Sequence, residues 1–161
     1  MIKSLKIFFL FSLIIALSEC GFKPIYKTSE NNLNNQTYSI VFKNDPGYLI
    51  KNKVLGIYSS ASTQSLYTIN LSITQNSTPL ITNTDGTVSK YRLEVMITFD
   101  VTESNNEIKL YTDISRGFAE YLVQTSEIET DEKLKQAIEI ATNEAVQMMS
   151  IKIQSNILRA E

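Results

Sequence analysis

Three kinds of side chain in this 161-residue chain carry reactive or ligand-gripping chemistry. The first is Cys20, the sole cysteine, a thiol placed soon after the apolar run Ile7–Leu17. The second is the carboxylates. Asp113 and Glu120 lie on one extended stretch, but seven residues of strand separate them by more than about 20 Å. Paired-carboxylate glycoside hydrolysis needs them closer than about 10 Å. The third is a cation pair, Lys90 and Arg92, two residues apart in an alternating segment and so on one face of a strand. Arg grips a phosphate bidentately, while Lys acts as a point charge. The competing reading is that these are ordinary solvated charges beside Glu94 and Asp100. The chain has no His, which removes Ser-His-Asp and Cys-His catalysis and every His-based metal site. A single Cys allows no intrachain disulfide and no Cys-rich zinc site. Five Gly in the whole chain give a phosphate-binding glycine loop poor support. No catalytic residue, metal or cofactor is expected, and the chain reads as a non-enzyme.

Lys plus Arg is 15 and Asp plus Glu is 17, a formal charge of −2. Nucleic-acid binders are clearly basic, so no nucleic-acid partner is expected. Lys3 and Lys6 precede the apolar run, which is too short to span a bilayer at roughly 20 residues. It has the size and flanks of a secretory signal. Leu17-Ser18-Glu19-Cys20 resembles a bacterial lipobox, with Glu19 where such motifs carry a small residue. The resemblance implies cleavage before Cys20 and acylation of Cys20. Two or more acyl chains anchor a protein stably. The expected organisation is a signal peptide over 1–19, a lipidated N-terminus and polar tether over 20–36, and one domain over 37–161.

The domain's elements follow from periodicity. Tyr38–Lys43 is short, β-branched and aromatic, a strand. Asn44-Asp45-Pro46-Gly47 is a turn cluster, with Asn or Asp available as a cap and Pro at a first helical position. A helix of about twelve residues follows, carrying Tyr48, Leu49, Val54, Leu55 and Tyr58. Tyr67–Thr74 alternates, and so does the longer Val88–Val101, with Tyr91, Leu93, Val95, Ile97, Phe99 and Val101 on one face. Ser104-Asn105-Asn106-Glu107 is a turn. Ile108–Tyr121 is a further extended stretch in which Arg116-Gly117 marks a bulge. Thr130-Asp131-Glu132 caps a terminal helix running to about Leu158. Its stripe is Leu134, Ile138, Ala141, Ala145 and Met148, with Met148-Met149 as soft core filler. The predicted fold is α+β: a two-layer sandwich of a roughly four-stranded mixed or antiparallel sheet with two helices on one face, order β-α-β-β-β-α.

Cys20-Gly21-Phe22-Lys23-Pro24-Ile25-Tyr26, that element order, the strand carrying Arg92, the segment Ser115–Tyr121 and the alanine-punctuated last helix resemble the LPS-assembly lipoprotein family, LptE. The resemblance implies an outer-membrane lipoprotein, lipid-anchored and facing the periplasm. It implies two partners, a large outer-membrane LPS-translocating β-barrel that the domain plugs and helps assemble, and lipopolysaccharide itself. On that basis Lys90 and Arg92 are candidate lipopolysaccharide contacts, joined by Lys109 and Arg116 from the next strand. A generic periplasm-facing binding or scaffold lipoprotein with another envelope partner is the alternative.

Overall fold

The computed structural model describes residues 38–58, 65–105 and 107–157. The signal peptide, Cys20 and the tether lie outside the described residues. Six elements follow in order: β1 (Tyr38–Phe42), α1 (Tyr48–Ile57), β2 (Tyr67–Thr82), β3 (Val88–Glu103), β4 (Lys109–Leu122) and α2 (Glu127–Ile157). The four strands form one sheet in the order β1-β2-β3-β4. β1 runs parallel to β2, and the other pairs are antiparallel. The parallel pair is joined through α1, as parallel neighbours require a crossover. The expected α+β architecture and element order are those observed.

Strict alternation builds the core. Leu93, Val95, Ile97, Phe99 and Val101 are all fully buried, while Arg92 on the opposite face is exposed. Ile69, Leu71 and Ile73 of β2 join them, with Ile50 and Val54 of α1 and Ala141, Ala145, Val146, Met149 and Ile153 of α2. One apolar sheet face is thus covered by two helices, and the other faces solvent. Tyr58, at the end of α1, meets the Ser150 hydroxyl of α2 at 2.5 Å and ties the two helices together.

Four local expectations are corrected. Gly117 marks no bulge, since pairing runs on regularly through Met96↔Arg116 and Val95↔Gly117. Gly is needed there because α2 passes so close that a Cβ would lie 1.9 Å from the Ala141 carbonyl oxygen. Met148 is not in the stripe. It is 44% exposed, and its neighbour Met149 is fully buried. A helix turns about 100° per residue, so adjacent positions cannot share one narrow face. α2 begins at Glu127, and Thr130 lies in its first turn, donating its hydroxyl to the Ser126 carbonyl at 3.0 Å. Neither Asn44 nor Asp45 caps α1, whose N-cap is Gly47 at φ 84°. Asn44 instead binds the main chain of Ile73, and Asp45 accepts the Gly47 N–H at 3.2 Å.

β2 also extends well past Thr74, to Thr82. From Thr74 onward every residue of it is exposed, so no alternation marked it in the sequence. Among the described residues, pairing with β3 is what holds it extended. The β2–β3 hairpin closes through Asp85, which accepts the Thr87 N–H at 2.9 Å, and Gly86 at φ 86°.

Candidate ligand-binding face

The solvent face of the sheet is set by register. On β3 it carries Lys90, Arg92, Glu94, Met96, Thr98 and Asp100. Near the hairpin the three strands align in rows: Ile81, Lys90 and Leu122; Thr78, Arg92 and Glu120; Asn76, Glu94 and Phe118; Thr74, Met96 and Arg116. Directly opposed residues project from the same side of a sheet. Lys90 and Arg92 therefore share a face, as their two-residue spacing suggested, and register brings Arg116 of β4 onto the same face, so that the three form one patch.

Lys109 does not join them. It pairs with Thr102, twelve residues from Lys90 along β3 and roughly 40 Å away at 3.3 Å per residue. A register shift between Val101 and Thr102 brings it onto the solvent face. Burial there raises the pKa of Asp100, hydrogen bonds from Lys43 and Asn70 lower it, and the charge of Lys109 adds a lesser pull in the lowering direction.

Each cation of the patch has an anionic partner. Lys90 and Arg92 both reach Glu120, Arg92 at 3.2 Å, and Arg116 meets Glu94 at 3.1 Å. Hydrogen bonds from Lys90 and Arg92 hold the Glu120 carboxyl below the usual range. Three cations against two carboxylates leave a local charge of +1. The bridges are exposed, with the Arg92 and Arg116 side chains 52% and 53% accessible. Such pairs add little stability. They set two guanidinium groups and an ammonium side by side with two carboxylates on the solvent face.

The patch has two further kinds of side chain that the sequence left unnoticed. Asn76 and Thr78 offer neutral amide and hydroxyl groups beside Glu94 and Arg92. Ile81, Phe118 and Leu122 are 50%, 45% and 51% exposed, an unusual apolar load for a solvent face. A depression of about 350 Å³ is lined by Arg92, Phe118, Ala119 and Glu120. Simple reflection of the sequence about the Ser104–Glu107 turn would set Arg92 opposite Ala119; the register shift between Val101 and Thr102 moves the pairing by one residue and makes Glu120 its partner. The surface combines cations, hydrogen-bonding neutral groups and exposed apolar side chains. That combination suits an amphiphile with a charged, hydroxyl-rich head.

A second groove of about 350 Å³ lies between the helices, lined by Leu49, Asn52, Lys53, Lys135, Gln136 and Glu139. Lys53 spans it to Glu139 at 2.8 Å. Among the described residues no His, Cys, Asp and Glu group has metal-site geometry, and no helix is long and apolar enough to cross a membrane.

No family model and no curated protein matches the sequence at a significant level. Solved structures do share the fold. A Caulobacter crescentus CB15 chain assigned as a lipoprotein superposes with a TM-score of 0.63 at 12% identity, over 77% of this chain and 92% of that one. A minor lipoprotein from Acinetobacter baumannii gives 0.56 at 13%, over 76% and 92%. The rare lipoprotein B of Shewanella oneidensis gives 0.52 at 14%, over 74% and 98%. At these identities the likeness establishes a common fold, one used by several bacterial lipoproteins.

Proposed function

We propose that this protein is a lipid-anchored lipoprotein of the outer membrane that faces the periplasm. Its folded domain plugs an LPS-translocating β-barrel and assists its assembly, and its solvent sheet face contacts lipopolysaccharide. The observation that carries the reading is the patch around Lys90, Arg92 and Arg116. It places cations, neutral hydrogen-bonding groups and exposed apolar side chains in adjacent rows. A phosphorylated glycolipid offers anions, sugar hydroxyls and acyl chains in the same close order. The Cys20-Gly21-Phe22-Lys23-Pro24-Ile25-Tyr26 start and the fold shared with rare lipoprotein B support the same assignment. Large outer-membrane barrels have polar lumens, and a compact domain with one polar sheet face is suited to fill one.

Depletion of the protein tests the reading. The barrel should then misassemble, surface lipopolysaccharide should fall, and cells should admit bulky antibiotics. Labelled palmitate should enter the wild type and not Cys20→Ala. A depleted strain with normal barrel folding and normal surface lipopolysaccharide would contradict the assignment and favour a lipoprotein serving another envelope partner.

A further inference from the structure

β2 is paired on one side along its whole length and on the other side only in part. β1 covers it from Tyr67 to Leu71. Lys43 then donates its N–H to the Leu71 carbonyl at 2.8 Å. The Asn44 side chain prolongs the ladder by one step. Its amide donates to the Ile73 carbonyl at 2.7 Å, and its oxygen accepts the Ile73 N–H at 2.9 Å. There the chain turns away into α1. Beyond Ile73, no strand among the described residues pairs with this edge.

The direction of the bare groups follows from what is paired. The main-chain groups of Ile73 point away from β3, and pairing with β3 is regular from Tyr67 to Pro79. With a two-residue repeat, the N–H and C=O of Gln75 and Ser77 point outward too. The stretch Thr74–Thr82 is exposed throughout and contains no charged side chain. Proteins ordinarily blunt exposed edges with charge, Pro, bulges or cover. The opposite edge of this sheet is treated that way. On β4, Glu144 of α2 accepts the Phe118 N–H at 2.7 Å, Lys152 donates to the Ile114 carbonyl at 2.7 Å, and Asp113 accepts the Ile114 N–H at 2.7 Å. β1 is only five residues long and is followed by Lys43. On β2, Pro79 and a register shift after it blunt the far end alone. Among the described residues, nothing pairs with the outward edge of Thr74–Thr78, which stands as an open template.

Only an extended polypeptide offers donors and acceptors at the matching two-residue spacing. Two copies paired over so short a stretch would bury far less than the roughly 1,200 Å² of a stable interface. The edge therefore serves as one part of a larger contact. We infer that the β2 edge at Gln75 and Ser77 receives a short extended segment of the barrel partner, added as a fifth strand beyond the end of β1. This rests on the plug reading above. The walls of a closed barrel have no free edge, so the donor is a loop entering the lumen. The added strand would lie beside Thr74, Asn76 and Thr78, next to the cationic patch.

Ser77→Pro in the full-length lipidated protein removes one outward N–H while sparing the ladder to β3. The tagged variant should recover about tenfold less barrel from solubilised outer membranes than wild type, with an unchanged thermal midpoint. Wild-type recovery by a normally folded Ser77→Pro protein overturns the inference and leaves the plug reading standing. If the variant unfolds early, a photoreactive residue at position 77 decides instead. An adduct to a barrel loop supports added-strand pairing, and its absence from an intact complex overturns it. Failure of the wild type to recover any barrel removes the plug reading and this inference together.

Discussion

Gly117 and Ala141 stand so close that a single added methyl group cannot fit between them. A Cβ at Gly117 would meet the Ala141 carbonyl oxygen at 1.9 Å and the Ala145 nitrogen at 2.6 Å. This contact seats α2 on β4 and fixes the height of the helical layer. Backbone atoms, unlike side-chain tips, cannot swing aside. Gly117→Ala should therefore destabilise the fold by about 3 kcal/mol or more. A Cβ added at Gly56 in α1 would meet nothing within 4 Å, so Gly56→Ala should be neutral or stabilising by up to about 1 kcal/mol. Chemical denaturation of both variants checks the contrast, and a mild Gly117→Ala would refute the close helix seat.

Met148 and Met149 should behave oppositely. Met149 is fully buried and Met148 is 44% exposed. Met149→Ala is expected to cost about 2–5 kcal/mol through lost burial and a cavity. Met148→Ala should stay within about 0.5 kcal/mol of wild type. Equal losses in urea melts would mean that the helix is rotated from the described position.

Acid should weaken the fold through carboxylates that are held ionised. Asp100 lies across three strands, accepting from Lys43 of the β1 end at 2.5 Å and from Asn70 of β2 at 2.8 Å. Burial pushes its pKa up, but these hydrogen bonds outweigh it and the carboxyl sits below its ordinary value. Lys152 lowers Asp113, and Lys53 lowers Glu139, in the same direction. A depressed folded pKa gives stability that is present above the unfolded value, near 4, and is lost as pH falls through the folded value. The thermal midpoint should hold down to about pH 5 and fall below about pH 4. Asp100→Asn should start lower and fall less steeply. At the alkaline end, burial pushes Tyr58 up to about 12. Its contribution is complete below the unfolded value of about 10 and is lost as pH rises towards 12. Tyr58→Phe should blunt that loss.

Charge on the solvent face should govern lipopolysaccharide binding with a definite sign. Lys90→Glu combined with Arg92→Glu should weaken binding by tenfold or more and leave the barrel complex intact. Glu120→Gln should strengthen it, because it frees both cations from their shared carboxylate. Binding measured at two salt concentrations checks both variants, with the difference shrinking at high salt. Unchanged binding in the double reversal would remove this face from the ligand site.

The alternation of Val88–Val101 made β3 readable directly, because one of its faces is wholly buried and the other wet. β2 was readable only to Thr74. Past that point Gln75, Asn76, Ser77 and Thr78 are exposed on both faces, and pairing with β3 keeps them extended. Such pairing is long-range and leaves no local periodicity. Lys90 and Arg92 were placed correctly by their two-residue spacing. Lys109 was misplaced because it is the first residue of β4, at the end away from the patch, and residue type says nothing of position along a strand of 14 residues. Gly117 read as a bulge, since a glycine demanded by a neighbouring helix looks in sequence like one demanded by its own strand. Glu120 was not legible as the partner of Arg92, because it depends on the one-residue register shift after Val101, and the apolar side chains of Phe118 and Leu122 were legible only once the sheet had faces.

Stoichiometric recovery of the barrel tests the central claim most directly. A tagged, full-length protein would be purified from solubilised outer membranes, and the co-purifying proteins weighed and identified. One large outer-membrane β-barrel should accompany it at a one-to-one ratio and survive a salt wash. Recovery of the lipoprotein alone, or with other envelope proteins and no barrel, would contradict the account.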